Sequence, residues 1–156
     1  MSNHAATEAE LAALAARFET WLTVQHTENP LIEAVVPDDD VAHRWHVRVV
    51  GDEKDVFTIR FDLGQRTLHY ETYVMPAPEE NEARFFQHLL KRNLGFNGAA
   101  FAVGDEEAIF LVGQLPNDLV SDDDELDRVL GSMYVYVEQC FRPALAIGFA
   151  SRIAQS

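Results

Sequence analysis

The apolar positions first repeat at helical spacing. Thr7 and Glu10 form a capping-box pair, and Leu11, Leu14, Phe18, Trp21 and Leu22 follow every three or four residues, which predicts an amphipathic helix. After His26 the pattern dissolves into TENPLIEAVVPDDD, where Pro30, Pro37 and the acidic run predict an irregular connector anchored by Leu31, Ile32, Val35 and Val36. From Val41 the period becomes two. Val41, Trp45, Val47 and Val49 share one face and Arg44, His46 and Arg48 the other, which predicts a half-buried strand. Phe57, Ile59, Phe61 and Leu63 predict a second strand, and Leu68, Tyr70, Thr72 and Val74 a third. Gly64-Gln65 between them suits a two-residue type II′ turn that sets Arg60 opposite His69.

Pro76 and Pro78 end that run. A helix with acids at its start (Glu79, Glu80, Glu82) and Lys91 and Arg92 at its end is predicted next, its buried stripe being Phe85, Phe86, Leu89 and Leu90, with Phe96 folding back onto Leu90. GAAFAVG and EAIFLVG, joined through Asp105-Glu106, read as a second hairpin, apolar on both faces and hence central or covered. Ser121 is the expected cap of a last long helix that buries Leu126, Val129, Leu130, Met133 and Val137. Pro143 is expected to kink or end it near Phe141, and ALAIGFASRI is apolar enough to dock. The order is helix, three-strand antiparallel meander, helix, two-strand hairpin, helix. It predicts one α+β domain over 1–156, with helices against a largely antiparallel sheet.

Composition narrows the function. At 156 residues, 47% of them hydrophobic, the chain can bury a core unaided. A single cysteine, Cys140, fits a reducing compartment; with no secretory start and no long apolar run, a cytoplasmic location is expected. The formal net charge of -14 repels phosphate backbones and anionic lipid surfaces, so neither nucleic acid nor membrane is expected as a partner. The runs Asp38–Asp40 and Asp122–Asp124 lack the oxygen-ligand spacing of a calcium loop and read as solvated loop or helix start.

The stretches LGQRTLHYETYVMPAPEEN, GAAFAVGDEEAIFLVGQLP and LDRVLGSMYVYVEQCFRPALAIGFASR resemble the YbjN family of sensory transduction regulators, in particular its actinobacterial members. With the strands before them the resemblance covers about residues 41–153. It implies a fold similar to type III secretion chaperones, which are typically dimers that hold a protein segment in extended form, and it brings no catalytic motif.

Among candidate sites, His43 and His46 fall on opposite strand faces and cannot share a metal. His46, Arg60 and His69 are expected to line up across the polar face of three adjacent strands, flanked by Arg48, Glu71 and Tyr73. That face is either simply solvated or a docking surface for an acidic or extended partner. Tyr134 and Tyr136, on a different side of the last helix from Met133 and Val137, fit either the edge of the core or a dimer seam. Cys140 reads as a small buried hydrophobe. Ser132 lacks a nucleophile elbow, and GFNGAAFAVG lacks the Lys-Ser/Thr of a phosphate loop. No cofactor, metal or catalytic residue is expected. The leading expectation is a homodimeric, chaperone-like or regulatory module that holds a protein or peptide segment in hydrophobic grooves and at a sheet edge. The alternative is a small-ligand sensor whose pocket is lined by Trp45, Tyr70 and the alanine-rich hairpin.

Overall fold

The computed structural model describes residues 4–154. Helix α1 (Glu8–Glu28) starts at Thr7, whose side chain accepts from the Glu10 backbone N–H while Glu10 caps the Thr7 N–H in return. The strands are β1 (Ile32–Pro37), β2 (Arg44–Val50), β3 (Val56–Leu63) and β4 (Thr67–Met75), then β5 (Ala99–Val103) and β6 (Ile109–Pro116). Between the two groups lies α2 (Glu82–Asn93), and α3 (Asp123–Gly148) and a short α4 (Ala150–Ala154) close the chain. The six strands form one antiparallel sheet in the order β1-β2-β3-β4-β6-β5. The α+β class is as the pattern predicts.

Three helices cover one face of the sheet. Phe18 of α1 packs against Trp45 and Phe61, Tyr134 of α3 against Phe57, and Leu89 of α2 joins Phe101 and Ile109. The rows Trp45–Phe61–Tyr70–Gly113–Ala99 and Val47–Ile59–Thr72–Leu111–Phe101 run across the sheet on this core side. Gly113 is required there: a Cβ would stand 2.3 Å from the Tyr70 ring and 2.2 Å from the Gly98 carbonyl oxygen. The Tyr70 hydroxyl donates to that same carbonyl at 2.6 Å.

Several expectations are corrected. The predicted connector after His26 is strand β1, paired along β2, so the meander has four strands and not three. Pro37 is compatible with it because Asp38, the next residue, makes the ladder bond to Arg44, which places the missing N–H of Pro37 on the open side of an edge strand. Val41 precedes β2 and is exposed, because Asp38 Oδ1 accepts from the Asp40 and Val41 N–H groups and turns the chain away. The β3–β4 register differs by two residues. Leu63 faces Leu68 and Arg60 faces Glu71, while His69 faces Asp62. A slip of two keeps every side chain on its face, so hydrophobic alternation does not distinguish the registers. Gly64 does not take a positive φ, and its N–H bonds Thr67 across residues 64–67 instead of forming the two-residue turn.

In α2 only Phe85 and Leu89 are buried; Leu90 is exposed, and Phe96 stacks on Tyr136 at 3.8 Å instead of on Leu90. Asp122, not Ser121, caps α3. Pro143 lies inside α3, which continues to Gly148. Burial of Ala144, Gly148 and Phe149 offsets the hydrogen bond that proline removes. Of the second hairpin, β6 is interior and β5 forms an edge.

Candidate docking surfaces

The sheet face opposite the helices carries the predicted polar residues. His46, Arg60 and Glu71 lie side by side on β2, β3 and β4, and Arg44, Asp62 and His69 form the next row. Their charges are mutually satisfied. Arg60 binds Asp62 at 2.8 Å and also Glu71, Arg44 binds the second oxygen of Asp62, and Arg48 pairs with Glu33 at 2.9 Å. His46 Nε2 meets Asp38 at 2.8 Å, and this bond, with the Asp40 and Val41 N–H groups, holds the Asp38 carboxyl down at about 2. Three guanidinium groups thus face four carboxylates, and the surface is close to charge-balanced, not cationic. His69 and Tyr73 are exposed on it, with Tyr73 set edge-on to Phe110 at 5.7 Å.

Tyr134 and Tyr136 belong to the edge of the core. Tyr134 stacks on Phe57, and the Tyr136 hydroxyl accepts from the Asn97 N–H at 2.9 Å beneath the Phe96 ring. Trp45 and Tyr70 are buried in the core row. Trp45 borders a groove beside α1, whereas Ala102 borders one beside α2 at the other end of the sheet. The proposed lining of a single small-ligand pocket is therefore dispersed.

Two features escaped the sequence reading. The first is the β2–β3 loop, clamped by Glu138 of α3, whose carboxylate accepts from the Asp52, Glu53 and Lys54 N–H groups, the last two at 3.0 Å. In this loop the Lys54 ammonium donates to the Tyr73 and Val74 carbonyls, beside the irregularity in β4, and lies over the Tyr73 and Phe141 rings. Burial pushes its pKa down to about 8. Nothing local in GDEKD signals this, because every partner is distant in sequence.

The second is an apolar groove of about 270 Å³ between α2 and the edge strand β5, lined by Phe86, Leu89, Leu90, Phe101, Val103 and Ile109. Leu90 is 65% exposed beside it, and Leu94, one turn on, is 89% exposed. The signal was present as an apolar stripe too wide for one buried ridge, since Phe85 and Leu89 lie on one i, i+4 row and Phe86, Leu90 and Leu94 on the next. The strand edge itself is closed at its centre. The Asn93 side-chain oxygen accepts from the Phe101 N–H at 2.8 Å and its amide donates to the Phe101 carbonyl. At the other edge Pro37 and the irregularity between Ile32 and Ala34 interrupt β1.

Burial pushes the Cys140 thiol up, away from the thiolate. Among the described residues no group of three histidine, cysteine, aspartate or glutamate side chains is placed to hold a metal ion, and no helix is long and apolar enough to cross a membrane. No family model matches the chain. It is similar to uncharacterized mycobacterial proteins. One from Mycobacterium tuberculosis strain H37Rv is 34% identical over 107 residues, 69% of this chain, and one from Mycobacterium leprae is 33% identical over 110 residues, 70% of it. The chain spans 58% and 59% of the length of these two relatives.

Proposed function

We propose that the protein is a cytoplasmic, non-catalytic binding module of the YbjN type, chaperone-like or regulatory, that holds a segment of another protein. The observation that carries this reading is the α2–β5 groove, an apolar cleft with Leu90 and Leu94 exposed beside it on a molecule of net charge -14. Contiguous apolar exposure of this kind marks interaction sites, and a cleft smaller than the roughly 300–1,000 Å³ of small-molecule pockets suits side-chain anchors. Because Asn93 and Pro37 obstruct both sheet edges, the grip is through side chains and not through an added strand.

Two copies are proposed to associate through the outer sheet face. Strongly like-charged molecules meet at least cost where their charges are already neutralised, and Arg44, Arg48 and Arg60 are matched there by Glu33, Asp38, Asp62 and Glu71. Light scattering, with crosslinking and partner identification after mild purification, tests both parts. A mass of twice 17.6 kDa and a co-purifying protein lost in Leu90→Ser/Leu94→Ser are expected. A monomer without a partner in repeated purifications refutes the reading.

A further inference from the structure

The sequence has two lysines, Lys54 and Lys91, and their surroundings contrast. Lys91 is exposed in the last turn of α2. Lys54 is half-buried in the β2–β3 loop, whose backbone the Glu138 carboxylate fixes through the Asp52, Glu53 and Lys54 N–H groups. Its Nζ donates to the Tyr73 carbonyl at 3.1 Å and to that of Val74, and lies 5.1 Å from the centre of the Tyr73 ring and 5.3 Å from that of Phe141. Among the described residues no carboxylate pairs with this ammonium, since Glu138 is engaged by the loop N–H groups and Glu53 pairs with Arg142. Two carbonyls match the two N–H groups of a neutral amine, so loss of the third proton breaks neither bond and leaves a lone pair free; burial already brings the pKa down to about 8. The cluster reaches solvent beside Tyr73, which is 46% exposed.

We propose that Lys54 Nζ is a covalent site for small uncharged aldehydes, which it takes up as a Schiff base. This role is separate from the docking groove. The neutral amine attacks the carbonyl carbon, a C–N bond forms, and the aldehyde oxygen leaves as water. From the ammonium and the aldehyde the net products are an iminium and water, with the charge unchanged. Desolvation among apolar groups is a recognised way to make a lysine amine nucleophilic. The iminium keeps its cation beside the Tyr73 and Phe141 rings and retains an N–H for one of the β4 carbonyls. An acyl group would discard that charge, so an aldehyde suits the site better than an acyl donor. Asp52, Glu53 and Asp55 are exposed on the same loop, and on a chain of net charge -14 they repel anionic carbonyl compounds and select uncharged ones.

The test treats the full chain at about pH 7.5 with propionaldehyde or, separately, glyoxylate. Cyanoborohydride reduces each imine to a stable amine, and peptide mass spectrometry follows labelling of Lys54 and Lys91. At that pH an amine of pKa about 8 is neutral about 200-fold more often than an ordinary lysine. The weaker base is the poorer nucleophile and the site is crowded, so propionaldehyde is expected to label Lys54 about tenfold faster than Lys91. The preference should vanish in guanidinium chloride, and with glyoxylate the ratio of Lys54 to Lys91 labelling should fall severalfold. Equal or slower labelling of Lys54, or a preference that survives unfolding, overturns the site. An equal ratio for the two aldehydes overturns the selection for uncharged ones.

Discussion

Two glycines of α3 predict opposite outcomes for the same substitution. Gly131 lies mid-helix and exposed, and a Cβ there meets nothing within 4 Å. Gly131→Ala removes backbone freedom from the unfolded chain without strain and should stabilise by about 0.5–1 kcal/mol. Gly148 is buried at the end of the same helix, where a Cβ stands 2.8 and 3.0 Å from the Phe85 ring and 3.0 Å from Pro78 Cβ. Neither neighbour can retreat easily. Phe85 is fully buried and packed edge-on against Phe86 at 5.3 Å, and the Gly148 carbonyl accepts from the Glu79 and Glu80 N–H groups at 2.9 and 3.1 Å. Gly148→Ala should therefore destabilise by about 1–3 kcal/mol, the usual range for overpacking. In urea, with a slope of about 2 kcal/mol per molar, the midpoints should move up by about 0.3–0.5 M and down by about 0.5–1.5 M. Shifts of the same sign, or a neutral Gly148→Ala, would refute the close packing of α3 against the approach to α2.

Glu138→Gln should destabilise by about 1.5 kcal/mol, the low end for bonds to a charged acceptor on an exposed loop, and speed hydrogen exchange at residues 52–54. Lys54 binds its proton less tightly when folded than when unfolded, so between about pH 8 and 10.5 the unfolded chain holds more protons and this group's contribution to stability rises with pH. Cys140, raised by burial, acts in the opposite sense above its ordinary pKa of 9.0, so the measurement is the stability difference between the native protein and Lys54→Met across that window; it should grow with pH, and a flat difference contradicts the assigned burial. Asn93→Ala uncovers the Phe101 N–H and carbonyl, should destabilise by about 1–2 kcal/mol, and should raise edge-to-edge association in sedimentation.

Local rules account for much of what was legible. The Thr7–Glu10 cap, the alternation of Phe57 to Leu63 and of Leu68 to Val74, and the α3 stripe each depend on neighbours a few residues apart, and these elements stand where the pattern placed them. Of the candidate site, the sequence assigned His46, Arg48, Arg60, His69, Glu71 and Tyr73 to one solvent face, because strand alternation alone dictates that.

What the chain alone determined is which residues are apolar, at which period, and so the element types and their inward sides. Only the tertiary structure decided between states that leave those periods intact: the two-residue register of β3 and β4, the pairing of IEAVVP as an edge strand, and the burial of Leu89 but not Leu90. The reason is physical. Each of those choices preserves facing and hydrophobicity locally, and the energy that separates them comes from partners as distant as Glu138 from Asp52 or Asn93 on α2 from Phe101 on β5.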